Sequence, residues 1–228
     1  QETIITGPSD TARYRLSTAP GSSVMLRLAA VGKTSVGRAL AEGFGFRFVE
    51  TGKMYRAVAL AFDRGLALDA IRIEVTTDER FLLNGDDVTE LLHTPQYDQK
   101  SSEVATRPEV RARLVELQRE IARTGDVVME GRDIGTVVLP DAEVKLFLRA
   151  ASEVRAKRRM EQRHTEDYEA TLQELACRDD RDATRAIAPL KPARDATIID
   201  TDRKTLIEVI SAASNVVRER LGQRWHGG

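Results

Sequence analysis

Short apolar runs alternate along this chain with segments of helical periodicity. Thr3–Thr6, Arg47–Val49, Val127–Met129, Val144–Leu148 and Thr197–Ile199 each read as a buried strand, a few apolar residues bounded by polar or turn-forming ones. Thr34–Glu42, Pro108–Arg123 and Lys204–Arg220 read as helices. In the second of these, Val110, Leu114, Leu117 and Ile121 recur along one face. Strands alternating with helices predict an α/β fold with a parallel sheet covered on both sides. Ligands then bind beyond the carboxyl ends of the strands.

Three segments interrupt this rhythm. Arg80–Glu90 carries Asn84-Gly85 between two short strand-like runs, which predicts a small hairpin. Ser152–Arg185 is dense in arginine and acid with few apolar anchors, and reads as a solvated helical lobe able to move. Residues 11–30 hold Arg13, Arg15 and Arg27, a Pro20-Gly21-Ser22-Ser23 turn signal and the apolar run Val24–Leu26. Two readings of this stretch compete. It is either a surface excursion behind Thr3–Thr6, or Val24–Ala29 is a replacement strand feeding into Gly32-Lys33. The excursion is the preferred expectation, because Thr3–Thr6 followed by Gly7-Pro8-Ser9 already supplies a strand and a turn.

Composition narrows the class without naming it. The 228 residues are 41% hydrophobic and 31% charged, with a formal net charge of −1, so no global basic field draws in nucleic acid or anionic membrane. Cys177 is the single cysteine and the three histidines are scattered, which argues against a disulfide or a zinc site. No apolar run approaches membrane-spanning length. The expectation is a cytoplasmic protein.

The chemistry resides in four clusters. Gly32-Lys33-Thr34-Ser35 opens a helix, where free N–H groups, the Lys33 ammonium and the Thr34 hydroxyl suit a phosphate and its magnesium. A phosphate-binding loop places a glycine six positions ahead of its lysine. Gly7 stands 26 positions ahead of Lys33, and Arg27 occupies the required position. Taken alone, Gly-Lys-Thr is a common helix start. Thr51-Gly52-Lys53-Met54-Tyr55-Arg56 follows the second strand, where Thr51 and Arg56 suit an anionic group, against the plain reading of a capped helix. Glu130-Gly131-Arg132-Asp133 follows the third. Its aspartate suits an exocyclic amine such as cytosine N4, against the plain reading of a turn with an ion pair. Finally, Arg178, Asp182 and Arg185 share one helical face, although a charge run is usually a solvated face.

Taken together, GRDIGTVVLPDAEVKLFL, TGKMYRA, LLNGDDVTELLHTP and RDDRDATRAIAPLKPA resemble the bacterial cytidylate kinases, nucleoside monophosphate kinases, over Thr3–Ser9 and most of Val31 to about Arg220. The resemblance implies a P-loop NTPase core with a five-stranded parallel sheet: residues 1–51, 108–151 and 186–228, interrupted by the insert 11–30. It implies a monophosphate-binding lobe at 52–107 and a lid at 152–185. It further implies phosphoryl transfer from ATP to CMP or dCMP with Mg2+, by a monomer. By matching motif, Gly7, Ser9, Gly32, Lys33, Thr34 and Ser35 would hold ATP, with Thr34 on the metal. Thr51, Tyr55 and Arg56 would line the CMP phosphate site; Ser102, Arg111 and Asp133 would read cytosine. Arg178, Asp182 and Arg185 would hold phosphate and sugar, and Lys33, Arg158 and Arg163 would offset charge on the transferring phosphoryl group.

Three residues depart from that family's pattern besides the interrupted loop. Thr6 and Glu50 stand where aspartates are usual, and Lys53 stands where a small residue is usual. An excursion in the phosphate loop would also admit a second reading, a catalytically impaired pseudokinase that still binds CMP.

Overall fold

The computed structural model describes residues 23–27, 33–163, 166–184 and 191–222. Five parallel strands form the main sheet in the order β2-β6-β1-β7-β8, where β1 is Ser23–Arg27, β2 Arg47–Glu50, β6 Val127–Gly131, β7 Val144–Arg149 and β8 Thr197–Asp200. Four of these strands overlap the expected runs. The fifth corrects the expectation for residues 11–30.

The central position belongs to Ser23–Arg27. Val24 pairs with Val128 on one side and with Val144 on the other, and Arg27 with Gly131 and Phe147. The replacement-strand reading therefore holds, and the stretch 11–30 is not simply an excursion. Thr3–Thr6 lies outside the described residues. The reason is chain geometry. Only residues 28–32 separate β1 from helix α1 (Lys33–Phe44), a strand-to-helix connection of ordinary length. Ser9 is far too distant in sequence to serve in the same way.

The two faces of the sheet follow from the strand period of two. Phe48 and Val128 face α1 and the C-terminal helix α7 (Leu206–Gly222), packing with Val36, Leu40, Ala213 and Val217. Val49, Val127 and Met129 face the other way, onto α2 (Thr51–Asp63) and α4 (Pro108–Arg123). The predicted helix 108–123 is reproduced to the residue. Its Val110, Leu114 and Ile121 are buried.

The lobe inserted between α2 and α4 holds a small antiparallel sheet, β3 (Ile73–Val75), β4 (Phe81–Leu83) and β5 (Asp86–Asp87), and helix α3 (Pro95–Val104). Asn84 and Gly85 join β4 to β5 with φ of 52° and 92°, the consecutive left-handed pair that a tight hairpin of this twist demands. The arginine-rich segment forms two packed helices, α5 (Ser152–Arg163) and α6 (Tyr168–Thr184). It has firmer anchors than its composition suggests. Ala156 and Leu175 are buried, and Arg158 donates to Thr201 Oγ1 at 3.0 Å and to Thr201 O at 2.6 Å. Among the described residues no helix is long and apolar enough to cross a membrane.

Candidate functional site

A cavity opens beyond the carboxyl ends of β2 and β6. Thr51, Tyr55 and Arg56 from the start of α2, Ser102 from α3, Arg111 from α4, and Glu130 and Asp133 from the end of β6 all line it. Six of these were expected from the sequence to share a site, and the fold brings all six together from segments spread over more than eighty positions.

The local structure explains why they converge. Thr51 is buried and its hydroxyl donates to Glu130 O at 2.8 Å, stitching the start of α2 to the neighbouring strand end. Gly131 sits in the same crowd. A Cβ built there would lie 2.4 Å from Ile134 Cδ1 and 2.5 Å from Thr51 Oγ1, so this glycine is a close-approach position. The irregular turn Ile134–Val138 then folds back over Asp133, whose carbonyl accepts from Val137 N at 2.8 Å.

Inside the cavity Arg111 and Asp133 form a buried ion pair. Both side chains are more than nine-tenths out of solvent, so each charge depends on the other. The carboxylate retains lone pairs for an amine donor, and the guanidinium retains donors for a carbonyl. Cytosine N4 and O2 present that combination.

Arg56 donates to Leu92 O at 3.0 Å and to Asp98 Oδ1 at 2.5 Å, which fixes its guanidinium at the cavity wall. Ser102 Oγ donates to Asp98 O at 3.3 Å. Lys53, expected as a departure from the family pattern, is 2% exposed. Its ammonium lies 3.5 Å from Glu50 Oε2 and 5.6 Å from the centre of the Phe81 ring. The two departures at 50 and 53 therefore answer each other across the junction of β2 and α2.

On the opposite side of the strand ends, Lys33 opens α1 and Thr34 follows it. Thr34 Oγ1 donates to Glu130 Oε2 at 3.0 Å. Glu130 is buried, and it is the functional candidate that sequence reasoning passed over. Its signal was available: a carboxylate ends the otherwise apolar run Val127-Val128-Met129. A hydroxyl and a carboxylate side by side at a helix N-terminus are hard oxygen donors, the set that suits magnesium. Ser35 is exposed on the same turn.

The remaining expected residues are distributed as follows. Arg158 is engaged with Thr201. Arg163 pairs with Glu174 at 2.6 Å and comes within 3.7 Å of Asp98. Arg178 and Asp182 fall on α6 with their side chains outside the description. Gly7, Ser9, Gly32 and Arg185 lie outside the described residues.

This sequence and architecture have known counterparts. A sequence model of the family described as cytidylate kinase matches residues 28–219. The cytidylate kinase of Mycobacterium leprae (strain Br4923) is 42% identical over 212 residues, covering 86% of this chain and 95% of the relative. That of Pelotomaculum thermopropionicum is 44% identical over 215 residues, covering 86% and 94%. Among solved structures, a gluconokinase from Sinorhizobium meliloti 1021 superimposes with a TM-score of 0.52 at 18% identity, covering 92% of this chain and 98% of that one. At that identity the likeness speaks for the kinase-type fold alone. With the family matched over most of its length, this chain belongs to the cytidylate kinase family.

Proposed function

We propose that this protein transfers the γ-phosphoryl group of ATP to CMP or dCMP, giving CDP or dCDP. The observation that carries the reading is the cavity at the carboxyl ends of β2 and β6, where Thr51, Tyr55, Arg56, Ser102, Arg111 and Asp133 meet. In it, Arg111 and Asp133 read the cytosine edge, with Ser102 beside them. Thr51, Tyr55 and Arg56 hold the acceptor phosphate. Arg178, Asp182 and Arg185 complete the phosphate and sugar contacts from the lid side.

The donor occupies the start of α1. Lys33, Thr34, Ser35 and Gly32 hold ATP there, while Gly7 and Ser9, carried over from the family pattern, lie outside the described residues. The interval from Arg27 to Thr34 has the length of a phosphate loop, with Arg27 in place of the first glycine. This supports an assembled loop in a working kinase. The Thr34–Glu130 pair fits Mg2+, with Thr34 as the candidate ligand, and the metal would offset charge between the β- and γ-phosphates.

The protein's own contribution is alignment and electrostatics. Arg56 fixes the acceptor phosphate against the strand ends, and Lys33 stands at the start of α1. Arg158 and Arg163 approach the transferring group when the lid rearranges from its present pairings. Lid closure excludes water and limits hydrolysis of ATP.

The test is a coupled ADP-release assay with ATP, Mg2+ and each of CMP, dCMP, UMP and AMP. Turnover confined to, or at least about tenfold faster with, the cytidine nucleotides is expected, and the Lys33→Ala variant should lose it. Binding of CMP by calorimetry without turnover in the assay would instead establish the impaired, CMP-binding reading.

A further inference from the structure

Three guanidiniums surround the carboxylate of Asp98 on α3. Arg56 Nη2 reaches its Oδ1 at 2.5 Å. From the lid helix α5, Arg159 and Arg163 approach Oδ2 at 3.3 Å and 3.7 Å. The other counter-charge in this group is Glu174 on α6, which Arg163 meets at 2.6 Å and Arg159 at 3.7 Å. Three positive charges thus converge on two carboxylates. In addition, the buried Nε of Arg159 has no hydrogen-bond partner among the described residues.

Counted among the described residues, this group holds one more positive charge than negative. Arg56 and Arg159 are largely buried, with side-chain exposures of 18% and 15%, so solvent screens their charges only in part. A carboxylate offers a guanidinium the same pair of acceptor oxygens that a phosphate does. Arg56 also lines the acceptor cavity, so its guanidinium stands at the boundary between Asp98 and any phosphate bound there.

We propose that Asp98 is a resting-state anion, which occupies Arg56 and tethers lid helix α5 to the acceptor lobe until a phosphate group competes for the same guanidiniums. The proposal rests on the reading of this cavity as the acceptor-phosphate site. Its consequence is specific. The tether opposes phosphate binding, and arrival of the phosphate weakens the hold of α3 on α5. A carboxylate that merely positioned Arg56 would do the reverse, and its loss would weaken phosphate binding.

The test is titration calorimetry of the full chain with inorganic phosphate, before and after Asp98→Asn. Phosphate should bind about two- to fivefold tighter to the variant, the range expected for part-exposed ion pairs. Asp98→Ser, which lacks the amide, should move the affinity in the same direction, and Asp98→Glu should restore it. Tryptic cleavage within α5 in the absence of ligand should also accelerate in Asp98→Asn. Weaker or unchanged phosphate binding in both neutral variants, with their thermal midpoints preserved, would overturn the proposal. Because the probe is inorganic phosphate, the result does not depend on the choice of nucleotide. Absence of CMP turnover by the unaltered chain would fault the substrate reading alone.

Discussion

The guanidinium of Arg111 and the carboxylate of Asp133 meet inside the cavity, one carried on the first turn of α4 and the other two residues beyond β6. Neither has appreciable contact with solvent. A buried pair of this kind adds modest net stability, but removing one member strands the other charge. The same two groups line the cavity proposed for the base, so on that proposal one pair serves both stability and recognition.

Asp133→Ala should therefore cost about 3–5 kcal/mol, read as a fall in the urea midpoint. The double variant Arg111→Ala/Asp133→Ala should lose less than the sum of the two singles, since no charge is left alone. Strict additivity would mean that the pair is not coupled.

Glu130→Gln should leave the fold largely intact while disturbing the Thr34 hydroxyl that Glu130 now accepts from. The magnesium concentration giving half-maximal turnover is expected to rise about 10- to 100-fold, the usual effect of altering a group that orients a metal ligand. An unchanged magnesium profile would remove Glu130 from the site.

Gly131→Ala would place a methyl group against Ile134 and the Thr51 hydroxyl, both within 2.5 Å of the new carbon. A loss of about 1–3 kcal/mol is expected from this overpacking. Acceptor KM should rise with it, because the displaced Thr51 lines the cavity. Thermal unfolding and acceptor titration on one sample read both effects.

The identity of the central strand can be tested by substitution. Leu26→Asp puts a charge in a strand flanked by β6 and β7 and covered by helices on both faces, and should prevent folding. Soluble yield and circular dichroism provide the readout, and a folded variant of unchanged stability would remove Ser23–Arg27 from the centre of the sheet.

The Asp195 carboxyl is held below its ordinary value of 3.8, chiefly by the hydrogen bond from Lys145, with burial acting in the opposite sense. A depressed folded-state value stabilises the protein above about pH 4, and that contribution is lost as pH falls through it. Asp195→Asn should accordingly be less stable than the parent at pH 7, with the difference vanishing in acid. Asp195 is 58% exposed, so the gap at neutral pH should not exceed about 1 kcal/mol. Urea titrations at pH 7 and pH 3 provide the comparison.

Much of this was legible in the residues themselves. Short apolar runs marked four of the five parallel strands and a period-3.6 pattern marked the helix Pro108–Arg123, because burial leaves a local record in the sequence. Asn84-Gly85 marked its hairpin for an equally local reason: few residues accept consecutive left-handed backbone. The motifs TGKMYR and GRD marked the cavity by placing polar groups directly after buried strands. Competition between distant segments leaves no such record. Thr3–Thr6 and Ser23–Arg27 are both short apolar runs, and only pairing with β6 and β7 placed Ser23–Arg27 at the centre of the sheet. Lys53 looked like an isolated departure until Glu50 and the Phe81 ring closed around it. The convergence of Arg56, Arg159 and Arg163 on Asp98 likewise came from folding, which brought side chains from three helices within a few ångströms of one another.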